Sequence, residues 1–243
     1  HKLNVWRGEI VSYFEIEGTP VTVLTASHQE KDEIGVKVKS DLLKEKRLKI
    51  SLRIPFPTGD WADMGTKYEG KQDYKSELVE KSKTEAVVTH KMDSISYKVN
   101  FSWKGNAKIK KASDHYFVIE ASDTNTLELS ALFALEKKLV KNSSFADIQN
   151  SSIKGWEKFW KSGAAVDFSG STDKRANELE RRIILSQYLT KAQCTGKVPP
   201  QETGLTYNSW YGKPHLEMHW WHGVHFALWG RPELLEKSLP WYQ

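Results

Sequence analysis

The segment from Trp210 to His222, WYGKPHLEMHWWH, gathers three tryptophans, three histidines, a lysine and a glutamate into thirteen residues. A core strand or helix would not accept so many titratable groups without partners to satisfy them. A solvated surface would not carry so many indole rings. Rings set beside directional polar groups are what a sugar-binding pocket needs. The apolar faces of a pyranose stack on indole, while its hydroxyls bond to imidazole, carboxylate and ammonium. The candidate substrate-binding residues are therefore Trp210, Lys213, His215, Glu217, His219 and Trp220.

Lys213, His215, Glu217 and His219 are spaced by two, so an extended backbone would point all four to one side. A helix beginning earlier would instead separate Glu217 from His219 and keep His215 and His219 aligned at i, i+4. Competing accounts stand beside the sugar reading. Glu217 and His219 could pair with each other or with backbone in a buried polar network. Trp220 and Trp221 at helical spacing could be core. The spacing H-x-E-x-H-x-x-H also invites a metal, since zinc commonly takes histidines, a carboxylate and water. It matches neither the zincin helix nor a finger, so no metal and no cofactor is expected. Gln201, Glu202 and Asn208 lie in the preceding loop, where a solvated acid is the plainer account of Glu202. His28, His90 and His115 sit singly near strands and turns and read as structural.

Two kinds of element have to position this cluster. Residues 1–140 follow a period of two. Leu48, Ile50, Leu52 and Ile54 alternate with Lys49, Ser51 and Arg53, and Ile95, Tyr97, Val99, Phe101 and Trp103 repeat the pattern. Such alternation marks half-buried strands. Many strands with short turns and no interleaved helices predict an antiparallel β-sandwich. Residues 57–83, polar and glycine-containing, read as a long loop. Residues 141–170 form a linker, with Phe145, Ile148, Ile153, Trp156, Phe159 and Trp160 predicting helix over 143–161 and Trp156 and Trp160 packing there. From 171 the chain is helical: a helix over Thr172–Gln193, where Glu178 precedes Arg182 by four, a second over about 216–229, and a third from Pro232, which suits a first turn. His225 and Trp229 read as packing within the second.

These three helices cannot cover the seven tryptophans found from Trp156 onward. Missing chain or a partner must do so, and an oligomer formed through the exposed aromatic helical surface is one such arrangement. The strand-like opening at His1 predicts that an upstream segment precedes it.

The 39% hydrophobic and 28% charged composition is ordinary for a globular protein. No apolar run reaches the roughly 18 residues of a membrane span. The net charge of +5 comes from lysines scattered along strand faces, such as Lys37, Lys39, Lys44, Lys46 and Lys49, rather than from a patch. A nucleic-acid partner is therefore not expected. Cys194 is the only cysteine, which excludes an internal disulfide and a thiolate cage.

Three stretches resemble the early barrel helices of six-hairpin (α/α)6 glycosidases. They are Glu178-Leu-Glu-Arg-Arg-Ile-Ile-Leu-Ser-Gln-Tyr, then Pro199-Pro-Gln-Glu-Thr-Gly-Leu, then His215-Leu-Glu-Met-His-Trp-Trp-His. The likeness is to the disaccharide phosphorylase family (maltose and kojibiose phosphorylases) and the inverting α-L-fucosidase family. Gly8-Glu-Ile-Val-Ser-Tyr-Phe, Gly18-Thr-Pro-Val-Thr-Val-Leu-Thr and Asp32-Glu-Ile-Gly-Val-Lys-Val-Lys-Ser resemble strands of their β-supersandwich.

The resemblance implies a sandwich over 1–140, linker helices over 141–170, and from 171 to 243 the first helices of an incomplete toroid. It thus implies an internal fragment of a larger carbohydrate-active glycoside hydrolase or phosphorylase, inverting in its complete form, acting on an oligosaccharide or polysaccharide in a periplasmic or secreted setting. The segment matching His215 to Trp221 contacts the sugar in the cleavage subsite of that group. The general acid lies downstream of it, so the resemblance places the acid beyond Gln243 and implies that the isolated chain is inactive. The fucosidases carry asparagines where this chain has Lys213 and His215, so fucose is not implied. The other readings are a non-catalytic carbohydrate-binding protein and a metal-dependent hydrolase.

Overall fold

The computed structural model describes residues 1–70, 74–135 and 140–243. Residues 71–73 of the expected loop and 136–139 near the end of the expected sheet domain lie outside the described residues. The chain divides into two compact units, His1–Ile54 with Gly70–Glu157, and Pro55–Glu69 with Lys158–Gln243.

The first unit is a sandwich of antiparallel strands. Its larger sheet has the order β1 (Lys2–Asn4), β2 (Glu9–Ile16), β3 (Thr19–Ser27), β4 (Glu33–Lys39), β11 (Thr126–Leu135), β8 (Ile95–Lys104), β7 (Glu85–Met92), β6 (Lys75–Ser82). A smaller sheet runs β5 (Lys49–Arg53), β10 (Tyr116–Ala121), β9 (Ala107–Ser113). Every pairing is antiparallel. Alternation decides what goes inside: Val99, Phe101 and Trp103 of β8 join Leu127 and Leu129 of β11 and meet Ile109, Phe117 and Ile119 of the small sheet. Burying each such side chain contributes about 1.5–3 kcal/mol.

The opposite face of the large sheet is met by the first part of α1 (Phe145–Lys161). Phe145 and Ile148 lie so close to Gly35 of β4 that a Cβ there would sit 3.2 Å from the Ile148 side chain. The Ser152 hydroxyl lies 2.9 and 3.1 Å from the Arg7 and Gly8 carbonyls, which share its one proton. Trp156 is buried, as its spacing predicted. Gln149 Nε2 donates to the buried Glu9 carboxylate at 2.7 Å.

Two details differ from the sequence reading. The expected loop of 57–83 contains β6, an edge strand whose KSELVEKS sequence has little hydrophobic alternation because only Ser76 and Leu78 turn inward. The helix expected from Thr172 begins at Ala176, giving α2 (Ala176–Cys194). Asp173 instead binds Arg175 ahead of the first turn. In the second unit α2 is followed by α3 (Leu216–Leu228) and α4 (Glu233–Glu236), with Pro232 as N-cap of α4. No described helix is long and apolar enough to cross a membrane.

Candidate functional site

Proline sets the start of α3. Pro214 disfavours helical backbone at Lys213, which is extended at φ −83 and ψ 145. His215, the N-cap, is also extended, and its carbonyl accepts the first helical bond from the His219 amide at 2.9 Å. The spacing of two therefore breaks at Leu216. Glu217 and His219 diverge, and His215, His219 and His222 fall at i, i+4 and i+7 on one stripe of the helix.

That stripe is turned inward and the apolar stripe outward. Trp220 and Trp221 are each 61% exposed, beside exposed Leu216 and Leu228, while His219 is buried. Glu217 projects from the first turn, where its charge suits the helix dipole, and has no partner among the described residues.

The His219 ring is fully engaged. Its Nε2 lies 2.8 Å from Ser238 Oγ and its Nδ1 2.6 Å from Tyr242 Oη. The Ser238 hydroxyl donates to the Leu235 carbonyl at 2.9 Å, so Ser238 Oγ must accept from His219 Nε2–H. Nδ1 of the neutral ring then accepts the Tyr242 proton. Burial favours this neutral form by pushing the imidazole below its ordinary value. His222 and His225 are pushed the same way, again chiefly by burial.

His215 differs. Its Nδ1 is 3.7 Å from Glu202 Oε2, a buried carboxylate oxygen with no hydrogen bond. Its ring meets the Trp210 indole edge-on, with centroids 4.7 Å apart. Nε2 of His215 meets no partner among the described residues. Lys213 Nζ stands 5.7 Å from the centre of the Tyr211 ring, within cation–π range.

Trp210 is displayed by a strained turn. Trp210, Tyr211 and Gly212 have φ of 49, 58 and 71, a left-handed run in which each non-glycine residue costs about 1–2 kcal/mol. The turn is held by Gly212 N–H to the Ser209 carbonyl at 2.8 Å and Lys213 N–H to the Trp210 carbonyl at 3.1 Å. Strain maintained in this way often accompanies a binding role.

A segment remote in sequence completes the arrangement. Asp63 and Asn208 exchange backbone hydrogen bonds of 2.9 and 3.1 Å, and Tyr211 N–H donates to the Trp61 carbonyl at 3.1 Å. The Trp61 ring then meets Trp210 edge-to-face, with centroids 5.2 Å apart and planes inclined at 68°. The Asp63 carboxylate accepts from Thr58 N–H at 2.9 Å and Gly65 N–H at 2.8 Å, which holds it below the usual carboxylate range and shapes the 55–69 loop. Trp61 carried one signal in the sequence, an indole alone in a polar loop. Ser238, Tyr242 and Arg231 carried none. Arg231, 1% exposed, gives its guanidinium to the Phe159 and Ala164 carbonyls, both at 3.2 Å.

The structure thus brings Trp210, Lys213 and His215 together with Glu202, Tyr211 and Trp61. Glu217 and Trp220 project separately from α3, and His219 faces inward. Among the described residues no group of three or more His, Cys, Asp or Glu could hold a metal ion. The alignment of His215, His219 and His222 makes no cage, because His219 spends both nitrogens on Tyr242 and Ser238.

No protein-family model matches the chain. No curated protein matches it either. A solved structure described as "Putative kojibiose phosphorylase from human microbiome" is similar over 97% of this chain, at 9% identity and a TM-score of 0.61. The match takes in 34% of that chain, so the present chain spans about a third of its length. The likeness supports the fold class: an antiparallel β-sandwich followed by a few helices.

Proposed function

We propose that this chain is part of a carbohydrate-active enzyme that cleaves a glycosidic bond with inversion, and that it supplies residues that position the sugar. The observation that carries the reading is the Trp210 indole, held out on a strained turn against the His215–Glu202 pair. The fold match supports it.

In this reading a pyranose stacks on Trp210, and its hydroxyls bond to His215 Nε2, the Glu202 carboxylate and Lys213. Glu217 and Trp220 extend the polar and apolar contacts along the outer face of α3. His219 is a positioning residue, fixing the Leu239–Tyr242 turn through Tyr242 and Ser238. Inverting cleavage needs a protonated carboxyl on the leaving oxygen and an activated water or phosphate on the opposite face, with the two flanking groups roughly 6.5–9.5 Å apart. That acid is not among the six residues, and the reading assigns it to another part of the enzyme. The enzyme would work outside the cytoplasm, where polysaccharide is degraded.

The test is calorimetric titration of the chain with glucose, maltose and kojibiose. Saturable binding weakened about tenfold by Trp210→Ala and by His215→Ala is expected, with no turnover by the chain alone. Absence of binding to any of the three at millimolar concentration defeats the proposal.

A further inference from the structure

Trp61 and Trp210 come together from the two separate segments of the second unit's sequence, and they are not equivalent there. Trp210 is flanked by two rings, Trp61 at 5.2 Å and His215 at 4.7 Å. Trp61 has one ring neighbour among the described residues and is 49% exposed. An indole that far in solvent forfeits the transfer free energy its area would otherwise contribute. Yet its backbone is held at two points: its carbonyl accepts from Tyr211 N–H, and Asp63 two residues on is paired with Asn208. The Asp63 carboxylate further braces the loop through Thr58 and Gly65. A rigid loop presenting a half-bare ring is a preformed contact surface, since little ordering entropy remains to be lost on binding.

The angle between the rings restricts what fits. The planes are inclined at 68°. A single pyranose lying flat on one indole can meet the other only by its edge. Flat stacking on both requires two rings joined by a bent linkage. Of the polar groups that would recognise hydroxyls, His215 lies against the Trp210 ring and Glu202 lies 3.7 Å from His215.

From this we infer that Trp61 is a stacking platform for the second sugar residue of a disaccharide or longer saccharide, the first being held at Trp210. The inference rests on the sugar-binding reading above and deepens it by assigning the second sugar residue to Trp61. Trp61 is a specificity-determining contact, not a reacting group.

Titration of the full chain and of Trp61→Ala and Trp61→Phe with glucose, maltose and kojibiose tests it. Trp61→Ala should weaken the tighter-binding disaccharide about tenfold and leave glucose within twofold, and Trp61→Phe should restore most of the disaccharide affinity. An unchanged thermal midpoint in both variants accompanies that result. Disaccharide affinity unchanged in Trp61→Ala overturns this inference alone. An equal loss for glucose and disaccharide also overturns it, because that is the mark of a loop whose collapse distorts Trp210. Failure of the unaltered chain to bind any sugar overturns it together with the reading beneath it.

Discussion

The two units bury their tryptophans to different degrees. In the sandwich Trp6, in the turn between β1 and β2, is 48% exposed, but Trp103 of β8 is 5% exposed and Trp156 of α1 3%. In the second unit Trp61, Trp210, Trp220, Trp221 and Trp241 are all more than two-fifths exposed, while three histidines of α3 are drawn inward. The first arrangement is what folding alone asks for. The second leaves apolar area in water, the feature on which the proposed sugar contacts rest.

Substitutions that separate these roles should show the contrast. Phe117→Ala, at the centre of the sandwich and 1% exposed, should cost about 3–5 kcal/mol in urea unfolding of the first unit. Arg231→Ala should cost about 1–3 kcal/mol in the second unit, because the Phe159 and Ala164 carbonyls lose their buried donor. A loss as large as that of Phe117→Ala would show that the second unit also rests on a few buried side chains.

Acid should weaken both units by the same physics. His90, His219, His222 and His225 are all held below the ordinary imidazole value, first by burial. The unfolded chain therefore binds more protons than the folded one once the pH falls below about 6.5. Stability is full above that point and declines as the pH drops toward and through the lowered folded values. Thermal midpoints recorded between pH 7.5 and 5 should fall progressively. A flat profile would mean that the rings charge without leaving their places. In the first unit this pressure centres on Ser76, whose single hydroxyl lies 2.8 Å from His90 Nδ1 and 2.6 Å from His115 Nδ1. Having one proton, it can donate to only one of them and must accept from the other.

Tyr242→Phe removes the donor to His219 Nδ1 and should cost about 0.5–1.5 kcal/mol by denaturant unfolding. Trp220→Ala should change stability by less than about 0.5 kcal/mol, as expected of an exposed side chain. A cost above 2 kcal/mol would assign that indole to the unit's own core and remove the contrast.

Much of the sandwich was legible in the sequence because half-burial writes a period of two into the chain. The run from Ile95 to Trp103 became β8 with Val99, Phe101 and Trp103 inward. β6 was not legible. It is an edge strand whose pairing with β7, Leu78 opposite Val88, supplies the order that KSELVEKS does not encode locally. The cluster at 210–222 was visible as a composition, but its division was not. Whether His215, Glu217 and His219 shared a side turned on where α3 began, and its first residue proved to be Leu216.

The order of residues therefore determined most of the strands, the main helices and the concentration of imidazole and indole at the start of α3, since periodicity, proline and charge act over a few neighbours. Tertiary structure alone decided that Ser238 and Tyr242 claim His219, that Glu202 faces His215, and that Trp61 comes to Trp210. Those pairings join residues from thirteen to 149 positions apart, and no local rule specifies which distant group will close a hydrogen bond or meet a ring.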